Sequence, residues 1–307
     1  MKFKKISHKN RNNQFIAVEI NGRWQLLVGA PLDMIELLRL KEAEILSQFS
    51  LEPYDEQEYA ELMPFQPTAY RDFSLYEQHA FNSAMGFVKK YMPQLKVRAT
   101  LYQLIFNKPL PRLRPKALYY KHPIYYLGNH LNFLSAGDSI HIPAYTNELD
   151  YELELAAVIT KPLINATVDE VTEAIGGFVI LNDFSARDVQ IAEMGSGFGP
   201  MKSKNFGNAI SAIVAHKEQL INRINQLKVT VLINGQTIAE NQTQGMLFTI
   251  QEAIAYASWD EKLHPGELFG FGTVPTCTGI ENGHMLKSGD QITLEVEGIG
   301  QLTNFVQ

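Results

Sequence analysis

Asp150, Glu152 and Glu154, in LDYELELAAVI, are the first candidates for chemistry. In an extended chain alternate side chains share a face, so these three carboxylates would lie together. Like charges on one strand face repel. The continuation LAAVI is apolar on both faces, as in a strand entering a core. An edge strand with one wet face is the simpler account of this segment alone. Acids at the mouth of a core, however, require a cation.

Three other segments could join them. In GGFVILNDFSARDVQ, Asp183 follows an apolar strand, a common place for a ligand or catalytic group, although Asn-Asp is also good turn chemistry. In YRDFSLYEQHA, Asp72 and His79 lie seven apart, about two helical turns, and share one side if the helix holds. In GPMKSKNFGNAIS, Lys204 sits among Gly, Ser and Asn between strands. Read singly, the last two are a capping acid with a surface histidine, and a solvated lysine. Together, Asp72, Glu152, Glu154 and Asp183 would make an all-oxygen site. Such ligands select hard cations, Mg²⁺, Mn²⁺ or Ca²⁺. No Cys/His cluster argues for zinc.

The elements that must position these residues are mainly β. FIAVEI and WQLLVG flank Asn21-Gly22, and LINGQT holds Asn234-Gly235, both hairpin signals. Residues 31 to 48 and 72 to 92 read as helices, the second with few breakers before Pro93. Thr249 and Glu252 form a capping box for another. ELELAAVI, FVILNDF, KVTVLI, QITLEVEGI and QLTNFV read as strands. The expected class is α+β, mainly β, with few helices. A small β-rich N-terminal domain spans 1–65 and the main domain 66–307. No strand–helix alternation runs long enough for a Rossmann or TIM architecture.

Composition narrows the partners. The chain has 307 residues, 45% hydrophobic, with a net charge of −6. Nucleic-acid binders usually carry a basic excess, so none is expected. No apolar run approaches a membrane span. The single cysteine, Cys277, rules out an intramolecular disulfide and, with no export signal, points to the cytoplasm.

RDFSLYEQHA, LDYELELAAVI, LNDFSARDVQ, GPMKSKNFGNAIS, LHPGELFGFGTV and LKSGDQITLEVEGIGQLTN occur in this order over residues 65 to 307. In them the chain resembles the fumarylacetoacetate hydrolase family. The first 65 residues resemble, loosely, the small extra domain of its longer members. The resemblance implies a mixed β-roll, a homodimer and a divalent metal, Mg²⁺ first, held by Asp72, Glu152, Glu154 and Asp183. It places the catalytic histidine at His79. Arg187, Gln190 and Lys204 become the donors beside it, and Tyr126 and Thr273 contact the substrate. Asp150 falls just outside the ligand set.

The implied activity is metal-dependent hydrolysis of a C–C bond in an acylpyruvate or related 1,3-diketo acid, as in aromatic catabolism. Decarboxylation, isomerisation, hydration or dehydration of a 2-oxo acid uses the same residues without water attack. A non-catalytic, metal-stabilised binding protein is the reading from another class. The chain also departs from the family. Two substrate-contacting tyrosines of the fumarylacetoacetate-cleaving members are Ser74 and Met194 here. The glutamate that orients their histidine aligns near Lys287. Shorter members carry a glutamate three residues after the histidine, where this chain has Asn82. Glu281 and Glu77 are the substitutes, and the sequence does not choose between them.

Overall fold

The computed structural model describes residues 1–11, 13–107 and 110–307. Both Asn-Gly pairs turn as expected. Asn21 and Gly22 take φ of 52° and 76°, as do Asn234 and Gly235. Two successive left-handed residues are what a type I′ hairpin turn requires. The first joins Gln14–Ile20 to Arg23–Val28, the second Lys228–Ile233 to Gln236–Gln242.

Among the described residues, 13 strands form one sheet and five another. The fold is mixed α and β and strand-rich. At the heart of the larger sheet Glu152–Ile159 lies antiparallel between Ile175–Asn182 and Leu268–Thr278. Every residue of Glu152–Ile159 and of Ile175–Asn182 is buried. A strand covered on both faces needs apolar residues on both, which explains LAAVI. Tyr70–Phe73 extends this sheet, parallel to Leu268–Thr278 and antiparallel to Tyr125–Gly128.

The boundary expected near residue 65 falls between the strands Tyr59–Leu62 and Tyr70–Phe73. The sheet is continuous across it. Lys2–His8 pairs with Ile213–His216. Phe3, Ile16 and Leu27 share one apolar cluster with Ala156, Val179 and Leu181.

Two helical expectations are corrected. Residues 31 to 48 hold two short helices, Met34–Leu37 and Glu42–Gln48. Residues 72 to 92 begin as strand, and the helix runs only from Glu77 to Tyr91. Pro93 then opens a further helix, Pro93–Phe106. Proline suits a first helical turn, where its missing N–H would have no partner anyway. The helix Glu77–Tyr91 rests on the short helix Gly279–Asn282. A Cβ at Gly86 would overlap the Ile280 carbonyl oxygen, so only glycine permits this approach. Among the described residues, no helix is long and apolar enough to cross a membrane.

Candidate active site

Three strands deliver the acids. Asp72 comes from Tyr70–Phe73, Glu152 and Glu154 from the central strand, and Asp183 follows Asn182 at the end of Ile175–Asn182. All four are buried. Oxygens of Asp72, Glu154 and Asp183 lie within 4.8 Å of one another. Burial, and then the Asp183 charge, push the Asp72 carboxyl well above the usual carboxylate range. Burial and the Asp72 charge do the same to Glu154. Asp183 is raised by burial, against the pull of Lys204.

Glycines make room for this cluster. A Cβ at Gly270 would stand 2.5 Å from Asp72 Oδ1 and 3.0 Å from Glu154 Oε2. Gly272, at φ +86°, donates its N–H to Glu154 Oε2 at 3.1 Å. Asp72 Oδ1 is buried with no hydrogen-bond partner among the described residues. An orphaned buried oxygen is costly. An all-oxygen set with one acceptor to spare fits a hard divalent cation.

Glu152, the fourth expected ligand, is engaged by two cations. Its Oε1 accepts from Arg187 Nη2 at 2.6 Å, and its Oε2 accepts from Lys204 Nζ. Burial alone would raise its carboxyl, but Arg187 and Lys204 outweigh burial and hold it below the usual range. Asp150 is fully buried and accepts from Arg187 Nε at 2.7 Å and from the N–H groups of Gly279 and Ile280. Arg187 also donates to Gln190 Oε1 at 2.7 Å and Thr278 Oγ1 at 2.9 Å. Most of a guanidinium's five N–H groups are thereby used. Arg187, expected to serve the reactants, chiefly holds Asp150 and Glu152 in place. Lys204 reaches Asp183 Oδ2 at 2.6 Å. Among the described residues, the buried acids Asp72, Asp150, Glu152, Glu154 and Asp183 are met by two buried cations, Arg187 and Lys204. An uncompensated ion at such depth costs several kcal/mol, on the order of 3–5. Protons or a dication must supply the difference.

His79 lies in the first turn of Glu77–Tyr91. Its Nε2 is 3.8 Å from Glu152 Oε1, and its Nδ1 is 2.5 Å from Glu281 Oε1. It reaches the acids from a helix that begins after the strand bearing Asp72, not from a helical face the two share. Glu281 Oε2 accepts from Asn82 Nδ2 at 2.7 Å and from the Thr276 N–H at 2.8 Å. Of the substitutes Glu281 and Glu77, Glu281 holds the histidine, while Glu77 accepts from the Tyr120 hydroxyl at 2.6 Å. Lys287 is exposed, and its N–H donates to Asp290. Thr276 sits at φ +70°, a conformation that a β-branched residue avoids.

A cavity of about 690 Å³ opens over these groups. Ser74, Tyr126, Gln190, Met194 and Thr273 all line it. The Tyr126 hydroxyl donates to Asp183 Oδ2 at 2.8 Å and Thr273 Oγ1 to Glu154 Oε1 at 3.2 Å. Both expected substrate contacts therefore brace the acids first. Sequence reasoning missed Asn82 as the support of Glu281; its place one helical turn after His79 was the available signal. Thr276 gave none, because nothing in a threonine announces a left-handed backbone.

Residues 77–307 match the family model described as fumarylacetoacetate (FAA) hydrolase C-terminal. A fumarylacetoacetate hydrolase domain-containing protein 2 homolog of Dictyostelium discoideum is 32% identical over 182 residues, covering 55% of this chain and 59% of that protein. The mitochondrial oxaloacetate tautomerase of Rattus norvegicus is 29% identical over 189 residues, covering 61% of this chain and 59% of that protein. The chain thus spans less than two thirds of both relatives. The structure of a fumarylacetoacetate hydrolase from Exiguobacterium antarcticum aligns with a TM-score of 0.73 at 20% identity. It covers 100% of this chain and 99% of that one, a likeness of fold.

Proposed function

The chain belongs to the fumarylacetoacetate hydrolase family, and from that premise we propose that it hydrolyses a C–C bond of an acylpyruvate-type 2,4-dioxo acid. The observation that carries this reading is the His79–Glu281 pair, which faces the buried acids. A binding protein has no need of an oriented base.

Asp72, Glu154 and Asp183, with Glu152 beside them, would hold the divalent metal, Mg²⁺ in first place. When bound, it supplies Lewis-acid polarisation of the dicarbonyl and charge stabilisation of an enolate. The chain's own residues do the rest. An Nδ1–H donated to Glu281 leaves the lone pair of His79 on Nε2, towards the cavity. Imidazole suits general-base work near neutrality. His79 takes a proton from water, whose oxygen forms a bond to C4 of the dioxo acid. The C3–C4 bond then breaks. Its electron pair goes to C3, which takes the proton back from His79. The products are the carboxylate of the acyl group and pyruvate. Lys204, with one N–H beyond its two ion pairs, donates to the developing oxyanion.

The likeness to the oxaloacetate tautomerase of Rattus norvegicus favours a second reading. There His79 moves a proton between C3 and the enol oxygen of a 2-oxo acid, and no water attacks. The two separate in one assay. Loss of enol absorbance is followed for acetylpyruvate, fumarylpyruvate, fumarylacetoacetate and oxaloacetate, with Mg²⁺ or with chelator, while pyruvate is measured independently. Metal-dependent pyruvate release from acetylpyruvate or fumarylpyruvate that His79→Ala abolishes supports hydrolysis. Keto–enol interconversion of oxaloacetate without cleavage of any diketone would replace it with the tautomerase. The homodimer belongs to the same proposal.

A further inference from the structure

The cavity changes character along its length, and its two ends are joined by one helix face. His79, Ala80, Ser83, Ala84, Phe87 and Val88 all line it. Their spacing puts them on one stripe of Glu77–Tyr91. The stripe starts at the candidate base and runs about 13 Å along the axis, at ~1.5 Å per residue. Beside the base it is built of small residues, Ala80, Ser83 and Ala84, which leave space. Farther on it turns bulky and apolar. Met92, Leu95 and Leu113 continue the wall beyond Val88, and Ile191, Met194 and Phe198 also line the cavity. The acids, Lys204 and Arg187 belong to the polar end. Away from them, Arg112 is the one charged side chain among the described lining residues, and it is exposed.

We infer that this chamber receives an apolar acyl tail, so that the substrate class is a 2,4-dioxo acid bearing a medium-length alkyl or arylalkyl group rather than a second carboxylate. This rests on the proposed function for the reacting end and on the chamber alone for the tail. A carboxylate placed a few carbons from the dicarbonyl would lie against Ala84, Phe87 and Val88, and desolvation would oppose it. A methylene placed there is removed from water. Met194 and Phe198 are 56% and 85% exposed, so the same tail would also cover apolar surface at the mouth. Phe198 stands between two glycines, Gly197 and Gly199, at φ +88° and +86°.

The test is binding of 2-oxo acids that cannot be cleaved, measured calorimetrically on the whole protein in Mg²⁺. The series is 2-oxobutanoate, 2-oxohexanoate, 2-oxooctanoate and 4-phenyl-2-oxobutanoate, with 2-oxoglutarate as the dicarboxylate. Affinity should rise about fourfold per added methylene until the chamber is full, from the transfer of each CH₂ out of water. 2-Oxoglutarate should bind more weakly than 2-oxohexanoate. Met194→Glu, at an exposed position that spares the fold, should flatten the length dependence. Arg112→Ala should leave it unchanged. Affinity indifferent to tail length, or tightest for 2-oxoglutarate, would overturn the inference. A loss of selectivity in Arg112→Ala would overturn it in favour of an ω-carboxylate. Because no bond is cleaved in this series, a rising trend stands even if no diketone is hydrolysed, and a flat trend fails even if one is.

Discussion

Glu281 Oε1 lies 2.5 Å from His79 Nδ1 across 202 residues of sequence. Asn82 and the Thr276 N–H hold the other oxygen of the same carboxylate. Glu281 is thus fixed at both ends, and its first task is to set the tautomer and direction of the imidazole. Glu281→Gln should lower kcat about 100-fold, at the lower end of the range for general acid–base groups, with KM nearly unchanged. Steady-state kinetics on whichever diketone is cleaved checks this. A fall in kcat/KM carried by KM alone would reassign Glu281 to binding.

Asn82 occupies the position at which the resemblance puts a glutamate. Asn82→Asp would bring a second carboxylate against Glu281 and replace a donor with an acceptor. The expected outcome is a loss of about tenfold in kcat or more, consistent with about 1.4 kcal/mol per decade. Asn82→Glu combined with Glu281→Gln should recover activity relative to Glu281→Gln alone. Equal activity of the two would show that the orienting carboxylate works only from residue 281.

The buried acids make a prediction about metal and pH together. Asp72 and Glu154 are raised well above the usual range, by burial first and a neighbouring carboxylate's charge second, that of Asp183 for Asp72 and of Asp72 for Glu154. In the metal-free protein the folded state therefore holds more protons than the unfolded chain above the ordinary carboxylate range. Stability should then fall as pH rises through that window. A dication replaces those protons, so Mg²⁺ should raise Tm more at pH 8 than at pH 6. Asp72→Asn should largely abolish the Mg²⁺ effect at both. Thermal denaturation with Mg²⁺ and with chelator measures it. Undiminished stabilisation in Asp72→Asn would remove Asp72 from the ligand set.

His216 gives a pH effect of the opposite sign. It is buried, its Nε2 lies 3.0 Å from the Leu40 carbonyl oxygen, and Glu42, Glu218 and the chain's amino group face its other side. Burial lowers its pKa in spite of the hydrogen bond and the two acids. Between the folded pKa and the ordinary value of 6.5 the unfolded state binds the extra proton. Stability is therefore lost as pH falls below 6.5. The urea midpoint should drop more steeply from pH 7.5 to 5.5 in the native chain than in His216→Gln. Parallel slopes would show that His216 does not titrate in this range.

Thr276 stores strain. At φ +70° a side chain with a Cβ costs roughly 1–2 kcal/mol. The contact with Glu281 uses only the backbone N–H, so Thr276→Gly keeps it. The variant should gain about 1 kcal/mol, less the extra freedom of glycine when unfolded, and raise Tm by about 2 °C. A lower Tm would mean that the side chain, which lies 3.4 Å from Asn241 Nδ2, contributes more than the backbone costs.

How far the sequence was legible depended on whether a residue's partners lay nearby. The two Asn-Gly turns and the Thr249 capping box are complete within a few residues, and each formed as expected. Glu152 and Glu154 alternate in a strand, which put them on one face without any knowledge of the neighbours. Asp72 misled because Tyr70–Phe73 is only four residues long and pairs with Leu268–Thr278 almost 200 residues away. No local periodicity can announce such a strand, whereas the helix that follows it is locally strong. Side-chain chemistry and the resemblance both pointed to the four acids, yet neither could show that Glu152 would be drawn to Arg187 and Lys204. That depends on Asp150, which takes up the other edge of the guanidinium. Glu281 stayed one of two alternatives because its claim on His79 is made entirely by the meeting of two distant helices.

That meeting has an evolutionary side. With Gly86 letting one backbone rest on another, the alignment of His79 with Glu281 is a property of main chain against main chain. Phe87 and Val88, which shape the chamber, follow His79 about two turns farther along the same stripe of the helix. Drift at Phe87, Val88 or Met92 can therefore retune what the protein accepts without disturbing how it moves a proton. The fold keeps a heritable chemistry at one end of a helix and an editable appetite toward the other.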